Sequence, residues 1–76
     1  MTPLPTINGR ECIRALERGG FEVVRQTGSH VIMRRNNPKV RVIVPNHRKD
    51  LRPNTLRSII RNSGLTVEEF VKLLRS

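Results

Sequence analysis

The stretch Gly28-Ser29-His30 lies between two strand-like runs, Phe21 to Thr27 and His30 to Arg35. Glycine at the first position of a two-residue connection favours a type II′ hairpin turn, because only glycine takes a positive φ there without steric cost. Such a turn makes His30 the first residue of the second strand, close to solvent. The stretch therefore predicts an antiparallel pair of strands with a histidine fixed beside their turn.

A third strand is predicted over Val40-Arg41-Val42-Ile43-Val44, which is rich in β-branched residues and ends at Pro45. The segment Asn36-Asn37-Pro38-Lys39 has the residues typical of a turn between the second and third strands. Three strands joined by short turns predict an antiparallel meander.

Helical patterns flank the meander on both sides. Asn8 and Glu11 form a capping-box pattern that opens the first helix, and Gly19-Gly20 ends it. Pro53 begins a second helix, and Thr66 with Glu69 opens a third. Apolar residues recur at helical spacing, in the three sets Cys12, Ile13, Leu16; Leu56, Ile59, Ile60; and Val67, Phe70, Val71, Leu74. The pattern assigns Cys12 and Phe70 to the core.

This order predicts an α+β fold, α-β-β-β-α(-α), with a three-stranded antiparallel sheet and helices packed on one face, as in double-stranded RNA-binding domains. We expect one domain over residues 1–76, in which residues 1–7 form an irregular arm. A chain of this length buries only about 60% of its unfolded surface, so a partner would add stability. Fold alone does not decide function.

The turn lengths also predict the strand register, with Val24 opposite Met33, Arg25 opposite Ile32, Met33 opposite Val42 and Arg34 opposite Arg41. Side chains alternate along strands, so the core face would carry Val24, Val31, Met33, Val40, Val42 and Val44. The other face would carry His30, Arg25, Arg34 and Arg41 among Val23, Ile32 and Ile43. Two arginines opposite each other favour a bound anion. The alternative is a solvated face whose long side chains cover apolar surface, and one extra residue in a turn would exchange the faces.

Charge is the strongest signal in the composition. Fifteen Lys and Arg residues oppose six Asp and Glu, for a net charge of +9, and twelve of the fifteen are arginine. The arginine fork suits phosphate, so nucleic acid or an acidic protein is the expected partner. The two aromatic residues, Phe21 and Phe70, are too few for a stacking platform that binds single strands. No helix-turn-helix pattern favours DNA.

The sequence lacks the patterns typical of disulfide-bonded, membrane-spanning, secreted and metal-binding proteins. One cysteine forms no intramolecular disulfide, and no apolar run approaches the roughly 20 residues of a membrane span. The N-terminus has no signal-peptide pattern, so we expect a cytoplasmic protein without membrane association. Two histidines, one cysteine and one aspartate do not make a metal site, and no Gly-rich phosphate loop is present. We therefore expect no metal and no cofactor.

The chain resembles the HicA (YcfA-like) toxins of HicA–HicB toxin–antitoxin modules. The resemblance runs from about Asn8 to Leu74 and rests on four segments and the C-terminal end. The segments are the helix before Gly20-Phe21, Gly28-Ser29-His30, Val44-Pro45-Asn46-His47, and Leu51-Arg52-Pro53-Asn54-Thr55-Leu56-Arg57-Ser58-Ile59, and the end is Gly64-Leu65-Thr66-Val67-Glu68-Glu69-Phe70. It implies an mRNA interferase on a fold like a double-stranded RNA-binding domain. It also implies that the catalytic histidine of the Gly-Ser/Thr-His motif is His30, and that a HicB antitoxin covers the active-site region.

Metal-independent RNA cleavage fits these residues. RNA carries its own nucleophile, the 2′-hydroxyl, and histidine, with a reference pKa of about 6.5, is suited to take its proton. His30 is the candidate base or acid, and His47 is a candidate second acid/base group or a plain exposed histidine. The candidate RNA contacts are Ser29, Arg25, Arg34, Arg41, Arg48 and Lys49. The alternatives are a non-catalytic RNA-binding module of the same fold and a basic protein that binds only an acidic partner.

Overall fold

The computed structural model describes residues 2–76, and Met1 lies outside them. The helices are α1 (Gly9–Arg18), α2 (Pro53–Ser63) and α3 (Val67–Arg75), and the strands are β1 (Glu22–Thr27), β2 (His30–Arg35) and β3 (Val40–Pro45). The strands form one antiparallel sheet in the order β1-β2-β3. The predicted α+β fold is confirmed. Within the described residues, no helix has the length and apolar character needed to cross a membrane.

Local sequence signals set the helix ends. The Asn8 side chain accepts a hydrogen bond from the Glu11 N–H at 3.0 Å, and the Glu11 carboxylate accepts one from the Asn8 N–H at 3.2 Å. Thr66 and Glu69 form the second predicted capping box, whose hydrogen bonds hold the pKa of the Glu69 carboxyl below its usual value. Helix α2 ends at Ser63, and the following Gly64 has a φ of +81°, the left-handed conformation that glycine adopts readily.

The register between β2 and β3 is the predicted one, with Met33 opposite Val42 and Arg34 opposite Arg41. Between β1 and β2, Arg25 lies opposite Ile32 as predicted, but the predicted pairing of Val24 with Met33 is wrong. Val23 lies opposite Met33, because the register shifts between Val23 and Arg25. This irregularity is a β-bulge, in which one strand carries an extra, unpaired residue.

Because of the bulge, the predicted faces of Val23 and Val24 are wrong. Val24, expected in the core, is 43% exposed and lines a surface depression with Arg34 and Arg41. Val23, expected on the open face, lies opposite the buried Met33 and borders a groove beside helix α1. The period-two alternation of the sequence continues through residues 23–25, so it gives no warning that the faces change there.

The helices cover one face of the sheet. From the strands, this core takes Val31, Met33, Val42 and Val44, as predicted, and Val40 is partly buried against it. From the helices, it takes Cys12, Leu16, Leu56, Ile59, Ile60 and Phe70. Burial raises the pKa of the Cys12 thiol to about 12, so the thiol stays protonated and Cys12 is an apolar core residue.

The N-terminal arm has no helix or strand over residues 2–7, and its end is attached to the core. Ile7 is buried, and its carbonyl accepts a hydrogen bond from the Leu51 N–H at 2.8 Å. Asn8 and Asp50 form an isolated antiparallel bridge. These contacts fix the polar loop over residues 46–52, which lies between β3 and α2.

Arg35, the last residue of β2, joins the ends of two helices. One guanidinium nitrogen, Nη1, donates to the Gly19 carbonyl after α1 at 3.4 Å, and Nη2 donates to the Ser63 carbonyl at the end of α2 at 3.3 Å. The guanidinium carbon also lies 4.8 Å from the centroid of the Phe21 ring. Because a helix C-terminus carries partial negative charge, a cation at both ends is favourable. This arginine belongs to the framework of the fold.

Helix α1 begins against the end of β3, where only glycine fits. A Cβ atom at Gly9 would collide with the Pro45 carbonyl oxygen and would lie 2.7 Å from the Asn46 Cα. Both are backbone atoms, which cannot move aside as a flexible side chain can. The contact therefore holds the start of α1 against residues 45–46.

We expect Gly9→Ala to lower the free energy of unfolding by about 1–3 kcal/mol, the cost of overpacking a close contact. Helix propensity alone predicts the opposite sign, because alanine is more favourable than glycine within helices by roughly 0.5–1 kcal/mol. Urea unfolding of Gly9→Ala beside Ser58→Ala, an exposed position in α2, measures the difference. A Gly9→Ala protein as stable as the native chain would show that the backbones separate without cost.

Candidate functional site

The turn between β1 and β2 meets the end of β3 at one corner of the sheet. Gly28 has a φ of +59°, and the φ of Ser29 is not positive, which is the combination of the predicted type II′ turn. The Ser29 carbonyl accepts a hydrogen bond from the Asn46 N–H at 2.6 Å. His30 lies opposite Pro45 in the sheet. The turn and the first residues after β3 are therefore held together.

At this corner His47 reaches the hydroxyl of Ser29, the residue that precedes His30 in the chain. His30 follows Ser29 directly, and the Nε2 atom of His47 lies 3.4 Å from the Ser29 Oγ. The tautomer of His47 determines whether the ring nitrogen or the hydroxyl donates. Both histidines are exposed, whereas Ser29 is partly buried. We call the group formed by Ser29, His30 and His47 the histidine corner.

The histidine corner has the groups that paired acid/base chemistry requires. A neutral imidazole accepts a proton and a protonated one donates, and histidine exchanges between these forms near physiological pH. The serine hydroxyl donates or accepts a hydrogen bond and so orients a bound group. Exposure of both rings leaves the corner open to a large, polymeric substrate.

The three sheet arginines named from the sequence lie on the open face. Arg34 and Arg41 are opposite each other and both exposed, and Arg25 lies opposite Ile32, two pairs along the sheet from His30. The Nε atom of Arg34 lies 3.2 Å from the Glu22 Oε1, so this arginine has a carboxylate partner already. Because four residues of a strand span about 13 Å, Arg34 is distant from the histidine corner and Arg25 is nearer.

Arg48 and Lys49 are exposed in the loop over residues 46–52. Arg48 lines a depression with His47 and also with Arg10, from the first turn of α1. Lys49 lines the neighbouring depression, where His47 lies beside Arg52. The structure therefore gathers both predicted loop cations around His47 and adds Arg10 and Arg52.

The sequence did not point to Arg10 or Asn46 as residues of this corner. Arg10 is 37 positions from His47 in the chain (47 minus 10), and the close approach at Gly9 is what brings them together. The glycine at the first position of α1 was the available signal, because a glycine there lets another backbone come close. Among residues 2–76, no three His, Cys, Asp or Glu side chains form a group able to hold a metal ion.

Together these features define a small, strongly basic α+β protein with two exposed histidines at one corner of a three-stranded sheet. A family model described as "HicA toxin of bacterial toxin-antitoxin" matches residues 9–65 of the 76-residue chain. The chain therefore belongs to the HicA toxin family, and the resemblance noted in its sequence is confirmed. A search of curated proteins finds no match.

The matched residues contain α1, the whole sheet and α2, and therefore both histidines. Membership makes the chain the toxin of a toxin–antitoxin pair, and the partner that follows from it is an antitoxin. A net charge of +9 agrees with a partner of the opposite charge.

Proposed function

We propose that this toxin is an endoribonuclease that cleaves mRNA without a metal ion, with His30 as one member of an acid/base pair. One observation carries the proposal. His30 is fixed beside a tight turn, and the preceding residue, Ser29, has the second histidine of the chain, His47, 3.4 Å from its hydroxyl. Cleavage by an internal 2′-hydroxyl needs a base and an acid, because one proton must leave and another must be supplied, and two imidazoles can fill these roles.

The reaction uses no external nucleophile. One histidine takes the proton of a ribose 2′-hydroxyl, and the 2′-oxygen attacks the adjacent phosphorus. The bond from phosphorus to the 5′-oxygen of the next nucleotide breaks, and the other histidine protonates that oxygen. The products are a 2′,3′-cyclic phosphate and a 5′-hydroxyl. DNA lacks the 2′-hydroxyl and is not a substrate.

Basic side chains stabilise the charge that develops on the phosphate in the transition state. Arg48 and Lys49 are the best placed, because both share a depression with His47. The basic surface extends along the open sheet face through Arg25, Arg34 and Arg41. These arginines bind RNA phosphates farther from the cleaved bond. Ser29 orients the reacting phosphate through its hydroxyl. The reaction needs no cofactor.

We infer that the antitoxin is of the HicB type and that it inhibits cleavage by covering the histidine corner. The corner is open and polar in the free toxin, since both histidines are exposed. A partner that covers it excludes RNA by steric blockage and needs no conformational change in the toxin.

RNA cleavage by the purified protein in EDTA, beside His30→Ala, tests the function. We expect the native protein to cut and the variant to lose activity by about 10²–10⁴-fold, the contribution typical of one acid/base group. Products ending in a 3′-hydroxyl would refute the mechanism. If neither protein cuts and both bind RNA with strong salt dependence, the chain is an RNA-binding module.

A further inference from the structure

We propose that a groove between helix α1 and strand β1, adjacent to the histidine corner, is a docking site for an acidic, amphipathic segment of the antitoxin. The α1–β1 groove has an aliphatic part formed by Ile13, Val23 and Val31, and its charged residues are Arg10, Arg14 and Glu17. The polar residues Gln26 and Asn46 complete its lining. The inference rests on the antitoxin that family membership implies and not on RNA cleavage. Ser29, His30 and His47 do not line this groove, whereas Arg10 and Asn46 line both the groove and the depression at His47.

The groove lies at an unpaired edge of the sheet. β1 has a neighbour on one side only, and all six of its residues are exposed. The bulge turns Val23 towards the helix side, where it remains 45% exposed. An edge strand with unpaired backbone groups and an exposed valine is a surface that an added protein segment completes.

The groove is lined by two arginines and one glutamate, Glu17, and this excess of positive charge favours an acidic partner. Arg10 and Arg14 are exposed and lie one turn apart on α1, a spacing at which like charges repel. Within residues 2–76, the ion pair within 4 Å joins Glu22 and Arg34, so both groove arginines are without a carboxylate partner at that distance. A carboxylate-bearing segment would supply it. A second copy of this chain, with a net charge of +9, would add repulsion instead.

The aliphatic part of the groove favours a protein segment over RNA. Proteins that bind single-stranded RNA stack its bases on aromatic rings. Neither phenylalanine of the chain lies in the groove, since Phe21 and Phe70 are buried in the core. Aliphatic side chains such as Ile13 and Val23 gain most from contact with apolar side chains of a partner.

Two adjacent valines provide a matched test. Val23 and Val24 are 45% and 43% exposed, but Val23 borders the α1–β1 groove and Val24 lies in the depression with Arg34 and Arg41. Val23→Lys and Val24→Lys therefore place the same charge on the same strand at two different surfaces. Calorimetric titration with the antitoxin encoded in the same toxin–antitoxin module measures the affinity of each, after thermal unfolding has shown that both variants fold.

We expect Val23→Lys to weaken antitoxin binding by roughly thirtyfold, as loss of one hot-spot contact does, and Val24→Lys to leave it within about threefold of the native affinity. Arg14→Glu should weaken binding as well. Equal losses in the two valine variants would assign the partner to the strand edge itself and overturn the groove proposal. A loss confined to Val24→Lys, or no loss in either variant, would also overturn it.

A further outcome would assign the groove to RNA and overturn the proposal, namely slower RNA cleavage by Arg14→Glu with unchanged antitoxin affinity. The titration does not depend on cleavage. Failure of the proposed ribonuclease activity is therefore distinguishable from failure of this docking site.

Discussion

Replacing His47 with glutamine is expected to slow RNA cleavage by about 10²–10⁴-fold while RNA binding changes little, because the change removes a proton-transfer group and keeps a polar side chain of similar length. The sequence left His47 as either a second acid/base group or a plain exposed histidine, and its position in the fold favours the first role. Its Nε2 atom lies 3.4 Å from the Ser29 Oγ, next to His30. Steady-state kinetics with a single RNA substrate at saturating concentration measures the effect on kcat.

The pH dependence of cleavage separates a catalytic from a positioning role for His47. If one histidine acts as base and the other as acid, the native rate profile is bell-shaped, and His47→Gln removes one of its two limbs. A residue that only holds Ser29 in place would lower the rate at every pH and leave both limbs.

Arg48→Gln is the control for His47→Gln. Both positions are exposed in the same loop, but the arginine offers charge and not proton transfer. We expect Arg48→Gln to raise KM more than it lowers kcat. A His47→Gln protein with the native kcat would mean that His47 is an exposed loop histidine, the alternative that its sequence position left open.

The sequence was sufficient for the order of the elements because each boundary has a local chemical signal. Capping boxes open α1 and α3, Pro53 opens α2, and Gly28 marks the hairpin. Such signals act within a few residues, and one chain contains them in full. The assignment of Cys12 to the core depended on the same short-range periodicity.

Features that depend on distant contacts were not predictable in this way. The bulge at Val24 depends on how the strands pair in the folded sheet. The sequence does not reveal it, because apolar and polar residues fit the same alternation through residues 23–25. The proximity of Arg10 to His47 depends on a backbone contact at Gly9 that only the packed structure reveals. The sequence therefore indicated both His30 and His47 as candidates, and the fold supplied the basic surroundings of His47.

The role of Arg35 was also not predictable from the sequence, in which it is one of fifteen lysines and arginines. In the fold it donates to the carbonyls of Gly19 and Ser63 and lies against the Phe21 ring. We expect Arg35→Met to lower the free energy of unfolding by about 1.5–3 kcal/mol, the range for hydrogen bonds to a charged group. The native total for a domain is only about 5–15 kcal/mol.

Several features set the size of this loss. The two hydrogen bonds are long, at 3.3 and 3.4 Å, and the Arg35 Nε is buried without a partner among residues 2–76, which reduces what the native arginine contributes. Two other effects increase the loss, because Arg35→Met leaves two helix ends without their cation and removes a cation–π contact. At about 4–8 °C per kcal/mol for a domain of this size, the melting temperature should fall by about 6–24 °C.

Arg34→Met is the matched control, since it removes the same group one residue earlier in β2. Arg34 is exposed and has one surface ion pair with Glu22, which is worth about 1 kcal/mol at most. Arg35→Lys should recover only part of the loss, because a single ammonium group lacks the fork that reaches two carbonyls at once. Calorimetric unfolding of the three variants decides the matter. Equal melting temperatures for Arg34→Met and Arg35→Met would mean that the helix ends find other partners, and that Arg35 is available to bind RNA or antitoxin like the exposed arginines.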